Sequence, residues 1–238
     1  MIKAVFFDVY GTIAGFVPSR FQIQSEACAP FGLALTPAGV LKGYAAADAF
    51  MNDQNARAPI RQMDHEGKRR FFAEYEQLVL RGCGHEVSIE TAAEIWKGVR
   101  RAPYEMATFP DVVPVMDRLR RAGLRVGVIS NMDRPGTQLL ADLGLTGHVD
   151  VAATSGEAHA EKPDPIIFAL ALEKAGVQAG EAVHVGDQVS ADIEGAMRSG
   201  IHAVLIDRDG NHPWFDRCPR ITSMEELPGI LEAMGAKV

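Results

Sequence analysis

The sequence predicts an α/β protein in which a doubly wound parallel sheet carries an inserted all-helical domain. Three observations predict it. An apolar run, Ala4-Val5-Phe6-Phe7, ends at a lone carboxylate, Asp8, followed by Gly11 and Thr12, the pattern of a buried strand that opens into a turn able to orient a reacting group. From Ser19 to Ala102 only helical patterns follow. From Phe109 onward, strands and helices alternate at the spacing that parallel crossovers require. The expected division is a core of residues 1–14 and 106–238 and a helical cap of residues 15–105.

The helical segment is expected to hold four helices, Ser19–Phe31, Thr36–Asp53, Asp64–Leu80 and Ser88–Arg101. Each opens on a residue whose side chain caps free backbone N–H groups: Ser19, Thr36 ahead of Pro37, Asp64 and Ser88. In the third, Phe71, Phe72, Tyr75, Leu78 and Val79 form one apolar stripe for the core. Lys68-Arg69-Arg70, with Glu66, Glu74 and Glu76 at short helical spacing, reads as a solvated, ion-paired face. Arg20, Arg57 and Arg61 are candidate contacts for an anionic substrate. The stretches 11–18 and 102–109, where Gly and Pro gather, read as the connections into and out of the sheet.

The later elements are expected as helix Pro110–Ala122, strand Leu124–Ile129, helix Pro135–Leu143, strand Val149–Ala153, helix Pro163–Ala175, strand Ala182–Val185, helix Ala191–Ser199, strand Ile201–Ile206 and a last helix over Met224–Met234. Strands so spaced imply right-handed crossovers and a sheet covered on both faces. A balance of 47% hydrophobic and 23% charged residues is that of a globular chain with a sizeable core. The net charge of −7 argues against nucleic acid or an anionic membrane as the main partner. It leaves a small anionic substrate possible where positive groups gather. Cys28, Cys83 and Cys218 lie far apart without metal-ligand spacing, and their odd number excludes complete intrachain pairing. Free thiols, no signal-peptide pattern and no membrane-length apolar run together give a cytoplasmic expectation, as a monomer or homodimer.

In an open parallel sheet, ligands bind beyond the carboxyl ends of the strands. That rule gathers Asp8, Ser130-Asn131 and Asp187 on one rim, with Lys162 within reach and Asp192 five residues after Asp187. The inventory suits transfer of an anionic group to a carboxylate beside a metal: Asp8 attacks, Asp187 helps hold Mg²⁺, and Ser130 and Lys162 take the negative charge. Glu157 is a candidate charge partner for Lys162 or a solvated loop acid, and His184, inside a strand, reads as a core residue.

These residues resemble the motifs of the haloacid dehalogenase superfamily of hydrolases. Asp8-Val9-Tyr10-Gly11-Thr12 resembles its first motif, Val128-Ile129-Ser130-Asn131 its second, Lys162-Pro163-Asp164-Pro165 its third and Gly186-Asp187 through Asp192 its fourth, all in the family's order. The insertion resembles the helical cap of its first subfamily, and the core its Rossmann-like sheet. The resemblance implies that Asp8 is the nucleophile and that Ser130 and Lys162 bind and balance the transferred group. It implies that Asp187, an Asp8 oxygen and the Tyr10 carbonyl hold Mg²⁺ with Asp192 as an outer or second ligand, and that Thr12 and Asn131 orient the substrate.

The departure lies at Tyr10. Phosphatases of the family carry Asp at that position to protonate the leaving group and activate water, and a phenol that titrates near ~10 is a poor substitute. Tyr there is typical of the family's metal-free 2-haloacid dehalogenases, whose fourth motif carries Ser-Ser-Asn where this chain has the acidic form. Their cap also has a Trp-Arg segment, for which Leu41-Lys42-Gly43-Tyr44 is the nearest counterpart here. His159 and Asp133 are candidate substitutes for the water-activating group. The leading expectation is an Mg²⁺-dependent phosphatase on a small phosphate ester; the alternatives are 2-haloacid dehalogenation at Asp8 and a binding protein of the same fold with little turnover.

Overall fold

The structure is a computed structural model. It describes residues 1–58, 60–210 and 212–238, without the side chains of residues 52, 55, 56 and 61; the candidate side chain of Arg61 thus lies outside the described residues. The chain forms two compact units, residues 1–15 with 106–238, and residues 16–105.

Strand β1 (Ala4–Phe7) leads into β2 (Ala14–Val17), and then come helices α1 (Arg20–Cys28), α2 (Pro37–Arg57), α3 (His65–Gly82) and α4 (Ile89–Arg101). Strand β3 (Glu105–Thr108) pairs with β2 in a two-stranded ribbon, so the two connections are strands. Next follow α5 (Val112–Arg121), β4 (Arg125–Ser130), α6 (Gly136–Asp142), β5 (Val151–Thr154), α7 (Ser155–Ala158), α8 (Pro165–Ala175), β6 (Ala182–Gly186), α9 (Glu194–Arg198), β7 (His202–Ile206), β8 (Arg220–Ile221) and α10 (Leu227–Ala233).

Six strands form one sheet in the order β5-β4-β1-β6-β7-β8, and every neighbouring pair is parallel. This is the doubly wound α/β architecture that the strand–helix alternation predicts. β1 sits inside it, with Phe7 level with Val128 of β4 and Val185 of β6. Its side chains alternate between two apolar layers: Val5 and Phe7 pack with residues of α5, α6 and α10, and Ala4 and Phe6 with residues of α8 and α9. A strand buried on both faces has no use for polar residues, which explains the unbroken apolar run before Asp8.

In the helical unit, Ser19, Thr36, Asp64 and Ser88 each cap a helix, accepting from the N–H of Gln22, Gly39, Gly67 and Thr91. α2 and α3 approach closely where Gly43 faces Val79 and Gly82, and a Cβ on either glycine would overlap the other helix's backbone. Phe72 stacks on Trp96 with centroids 4.9 Å apart. Arg20 pairs with Asp48 at 3.4 Å and covers the Tyr44 ring. Among the described residues no helix is long and apolar enough to cross a membrane.

Glu76 corrects the expected charged face of α3. Glu66 and Glu74 do pair on the surface with Arg69 and Arg70, but Glu76 is fully buried. Its Oε2 accepts from Gln24 Nε2 at 3.1 Å, while its Oε1 has no partner among the described residues. Helical spacing turns it inward beside Tyr75 and Val79, which the count of charges in sequence does not reveal. Burial, opposed by the Gln24 hydrogen bond, pushes its carboxyl from 4.5 up to about 7. Below pH 4.5 folded and unfolded chains both hold this proton; between 4.5 and 7 only the folded one does, so stability falls as pH rises through that window. Glu76→Gln, which keeps the hydrogen-bond acceptor, is expected to remove that slope and to stabilise the protein above pH 7 by on the order of 3 kcal/mol. Denaturant unfolding at a series of pH values measures it, and an unchanged slope would refute it.

Candidate active site

β1 ends at Phe7, and the next N–H, that of Asp8, still bonds to the Val185 carbonyl at 2.9 Å. The sheet thus fixes the Asp8 backbone, and the residue is only 7% exposed. The turn that follows is tight: Ile13 and Ala14 both donate to the Val9 carbonyl. Gly11 stands in it at a φ of +83°, a conformation that disfavours side chains, and a Cβ there would overlap the Asp187 carboxylate. Thr12 is buried, its hydroxyl without a partner among the described residues, and Tyr10 is half-buried. Arg208, just after β7, donates to the Thr12 carbonyl at 2.9 and 3.1 Å and clamps Asp111 with two further hydrogen bonds. No motif marks Arg208 in the sequence; its position just past a strand's carboxyl end is the signal that could have found it.

Lys162 lies between α7 and α8, and its ammonium is buried. It donates to Asp8 Oδ1 and, at 2.7 Å, to Asp192 Oδ1. Asn131, just past β4, holds the Lys162 main chain from both sides: its Oδ1 accepts from the Lys162 N–H at 2.6 Å and its Nδ2 donates to the Lys162 carbonyl at 3.1 Å. The expectation put this amide on substrate; here it fixes the backbone from which the lysine projects. Ser130 is buried at the end of β4. Helix α8 starts at Pro165, two residues later than the sequence suggests, because Asp164 caps it by accepting from the Ile166 N–H at 2.9 Å.

Asp192 returns to the rim because Val189–Ile193 forms a π-helical turn. Its Oδ2 accepts from the Gln188 N–H at 3.0 Å, and its Oδ1 also contacts His184 Nε2 at 3.0 Å. Glu157 is not the partner of Lys162: it binds Lys174 at 2.6 Å and accepts from the N–H groups of Gly136 and Thr154, tying together three segments. His159 is exposed and ends α7 with a positive φ, the place of a capping residue.

Ligand oxygens of Asp8, Asp187 and Asp192 lie within 4.8 Å of one another. Burial, opposed by Lys162 and reinforced by Asp192, raises the Asp8 pKa. Burial, reinforced by the charges of Asp8 and Asp192, pushes Asp187 up to about 8. Burial also works against ionised Asp192, but Lys162 and His184 outweigh it and hold this carboxyl well below its usual range. Lys162, despite burial, is kept charged by Asp8 and Asp192. With all three carboxylates ionised, as a bound cation would keep them, the cluster and its one ammonium would sum to two negative charges, and Asp187 Oδ1 is buried with no partner among the described residues. An all-oxygen donor set with that charge fits a hard divalent cation such as Mg²⁺.

The family model for haloacid dehalogenase-like hydrolases matches residues 2–200. A glyceraldehyde 3-phosphate phosphatase of Methanopyrus kandleri is 31% identical over 211 residues, 87% of this chain and 85% of that protein. Haloacid dehalogenase-like hydrolase domain-containing protein 3 of Danio rerio is 37% identical over 133 residues, 55% of each chain, so the match spans about half of that relative's length. Among solved structures, a HAD phosphatase from Thermococcus onnurineus is 26% identical with a TM-score of 0.55, covering 97% of this chain and 98% of that one. A 2-haloacid dehalogenase from Pseudomonas syringae is 25% identical with a TM-score of 0.55, covering 98% and 100%.

Proposed function

This chain belongs to the haloacid dehalogenase-like hydrolases, and from that premise we propose that it hydrolyses a small phosphate ester through Asp8, with Mg²⁺ as cofactor. The observation that carries the reading is the Asp8 carboxylate held against the Lys162 ammonium beside an Asp187 oxygen that has no partner among the described residues. The phosphatase names of relatives such as the Methanopyrus enzyme support the substrate class. Asp8, Asp187 and the Tyr10 carbonyl would hold the metal. Asp192, whose oxygens already accept from Lys162, His184 and Gln188, would serve it from farther out. Bound there, the ion offsets the charge of the carboxylates and of the incoming phosphate.

An Asp8 oxygen attacks phosphorus, the bond to the ester oxygen breaks, and the leaving alkoxide takes a proton from solvent. Water then attacks the phosphorus of the aspartyl phosphate, releasing phosphate and restoring Asp8. Lys162 and Ser130 bind the phosphoryl oxygens through both steps. The helical unit serves as a cap that selects substrate and excludes water. With Tyr10 in place of a carboxylic acid, proton transfer to the leaving group goes unassisted, which favours esters with good leaving groups; such assistance is typically worth about 10²–10⁴-fold.

Tyr10 also favours a second reading, dehalogenation of a 2-haloacid at Asp8, where halide leaves without a proton. Assay of phosphate esters and 2-haloacids with Mg²⁺ and with chelator separates the two. The expected result is phosphate release that chelator abolishes and Mg²⁺ restores. Chloride release indifferent to chelator would overturn it, and silence in both assays would favour a binding protein.

A further inference from the structure

The carboxylate that steadies Lys162 is itself steadied from within the sheet. His184 is fully buried in β6, its ring edge-on to Phe168 with centroids 5.5 Å apart. A doubly covered strand normally carries an apolar side chain here, and a buried imidazole is costly unless it is hydrogen-bonded. Among the described residues its hydrogen bond goes to Asp192 Oδ1 at 3.0 Å, and its Nδ1 has no partner. An ionised carboxylate can only accept, so Nε2 carries the proton. The same Asp192 oxygen receives Lys162 Nζ at 2.7 Å, and Lys162 in turn donates to Asp8 Oδ1. A relay thus runs from the interior of β6 to the strand end of β1.

We propose that His184 is a positioning residue: its Nε2–H fixes the Asp192 carboxylate so that Lys162 is held on the Asp8 oxygen. The Gln188 N–H holds only Asp192 Oδ2; without His184, the lysine is what holds the oxygen facing it among the described residues. This inference rests on the reading that Asp8 and Lys162 carry out the reaction.

Two amides of similar polarity test it. His184→Gln places an N–H donor where Nε2 stands, whereas His184→Asn reaches only as far as Nδ1. The expected result is kcat within about threefold of the parent for His184→Gln and about 10–100-fold lower for His184→Asn, the usual cost of losing a residue that orients a reacting group, with KM little changed. Reductive methylation of Lys162, read by mass spectrometry, needs no substrate: His184→Asn is expected to be labelled faster and His184→Gln at the parent rate. Should His184→Asn not fold, His184→Leu takes its place in both comparisons. Equal labelling and equal turnover in the two variants would overturn the proposal. A parent protein without turnover, but with the labelling order intact, would overturn the phosphatase reading and leave the His184–Asp192–Lys162 link supported.

Discussion

Asp8→Asn is expected to lower phosphate release by at least about 10³-fold while leaving the fold intact, because an amide oxygen cannot replace the attacking carboxylate. The melting temperature without metal is expected to hold or rise. Burial and the nearby Asp192 already raise the Asp8 pKa, so its charge is not a source of stability there. Removing it also relieves Asp187, whose carboxyl is pushed up to about 8 by burial and by its two acidic neighbours. Lys162 keeps its contact with Asp192 at 2.7 Å. Turnover assays paired with thermal melting check both halves. A variant that retains activity would remove Asp8 from the chemistry, and one that unfolds would mean that its pairing with Lys162 is structural.

Tyr10→Asp is expected to raise phosphatase turnover by about 10²-fold, the low end of what a positioned acid–base contributes. The new carboxyl would protonate the leaving oxygen and then take a proton from the attacking water, steps that the Tyr10 phenol performs poorly at neutral pH. It also adds a fourth acid to a rim that holds Asp8, Asp187 and Asp192. The gain should therefore appear only with saturating Mg²⁺, together with a new acidic limb in the pH profile. A fall in turnover under those conditions would assign Tyr10 a chemical role of its own.

The fold was legible because a parallel sheet covered on both faces forces an unbroken apolar run at each strand and a polar break at its end. Ala4–Phe7 ending at Asp8 follows that rule directly, and Ala182–Gly186 ending at Asp187 follows it except at His184. The four helix caps were legible for a similarly local reason, since each side chain bonds to an N–H only three residues away. Contacts set by irregular backbone were not. Spacing alone does not disclose that a π-helical turn brings Asp192 back to Lys162, and so Glu157 stood as a candidate partner for the lysine. The β2–β3 ribbon and the two-residue β8 are too short for periodicity to register. Glu76 looked like one more charge on a charged helix, and only the rotation of α3 against α1 and α2 shows it buried beside Gln24 and Tyr44. His184 was legible as a core residue, but its hydrogen bond to Asp192 depends on that same turn.

The proposed phosphatase reaction depends on Asp8 becoming covalently phosphorylated during turnover. Mixing enzyme with a phosphate ester and Mg²⁺, quenching in acid within a single turnover and reducing with borohydride converts an acyl phosphate to an alcohol, which peptide mass spectrometry locates. The account predicts homoserine at position 8 and nowhere else, and none when the ester is omitted. Phosphate release with an unreduced Asp8, or reduction at another carboxylate, would contradict it.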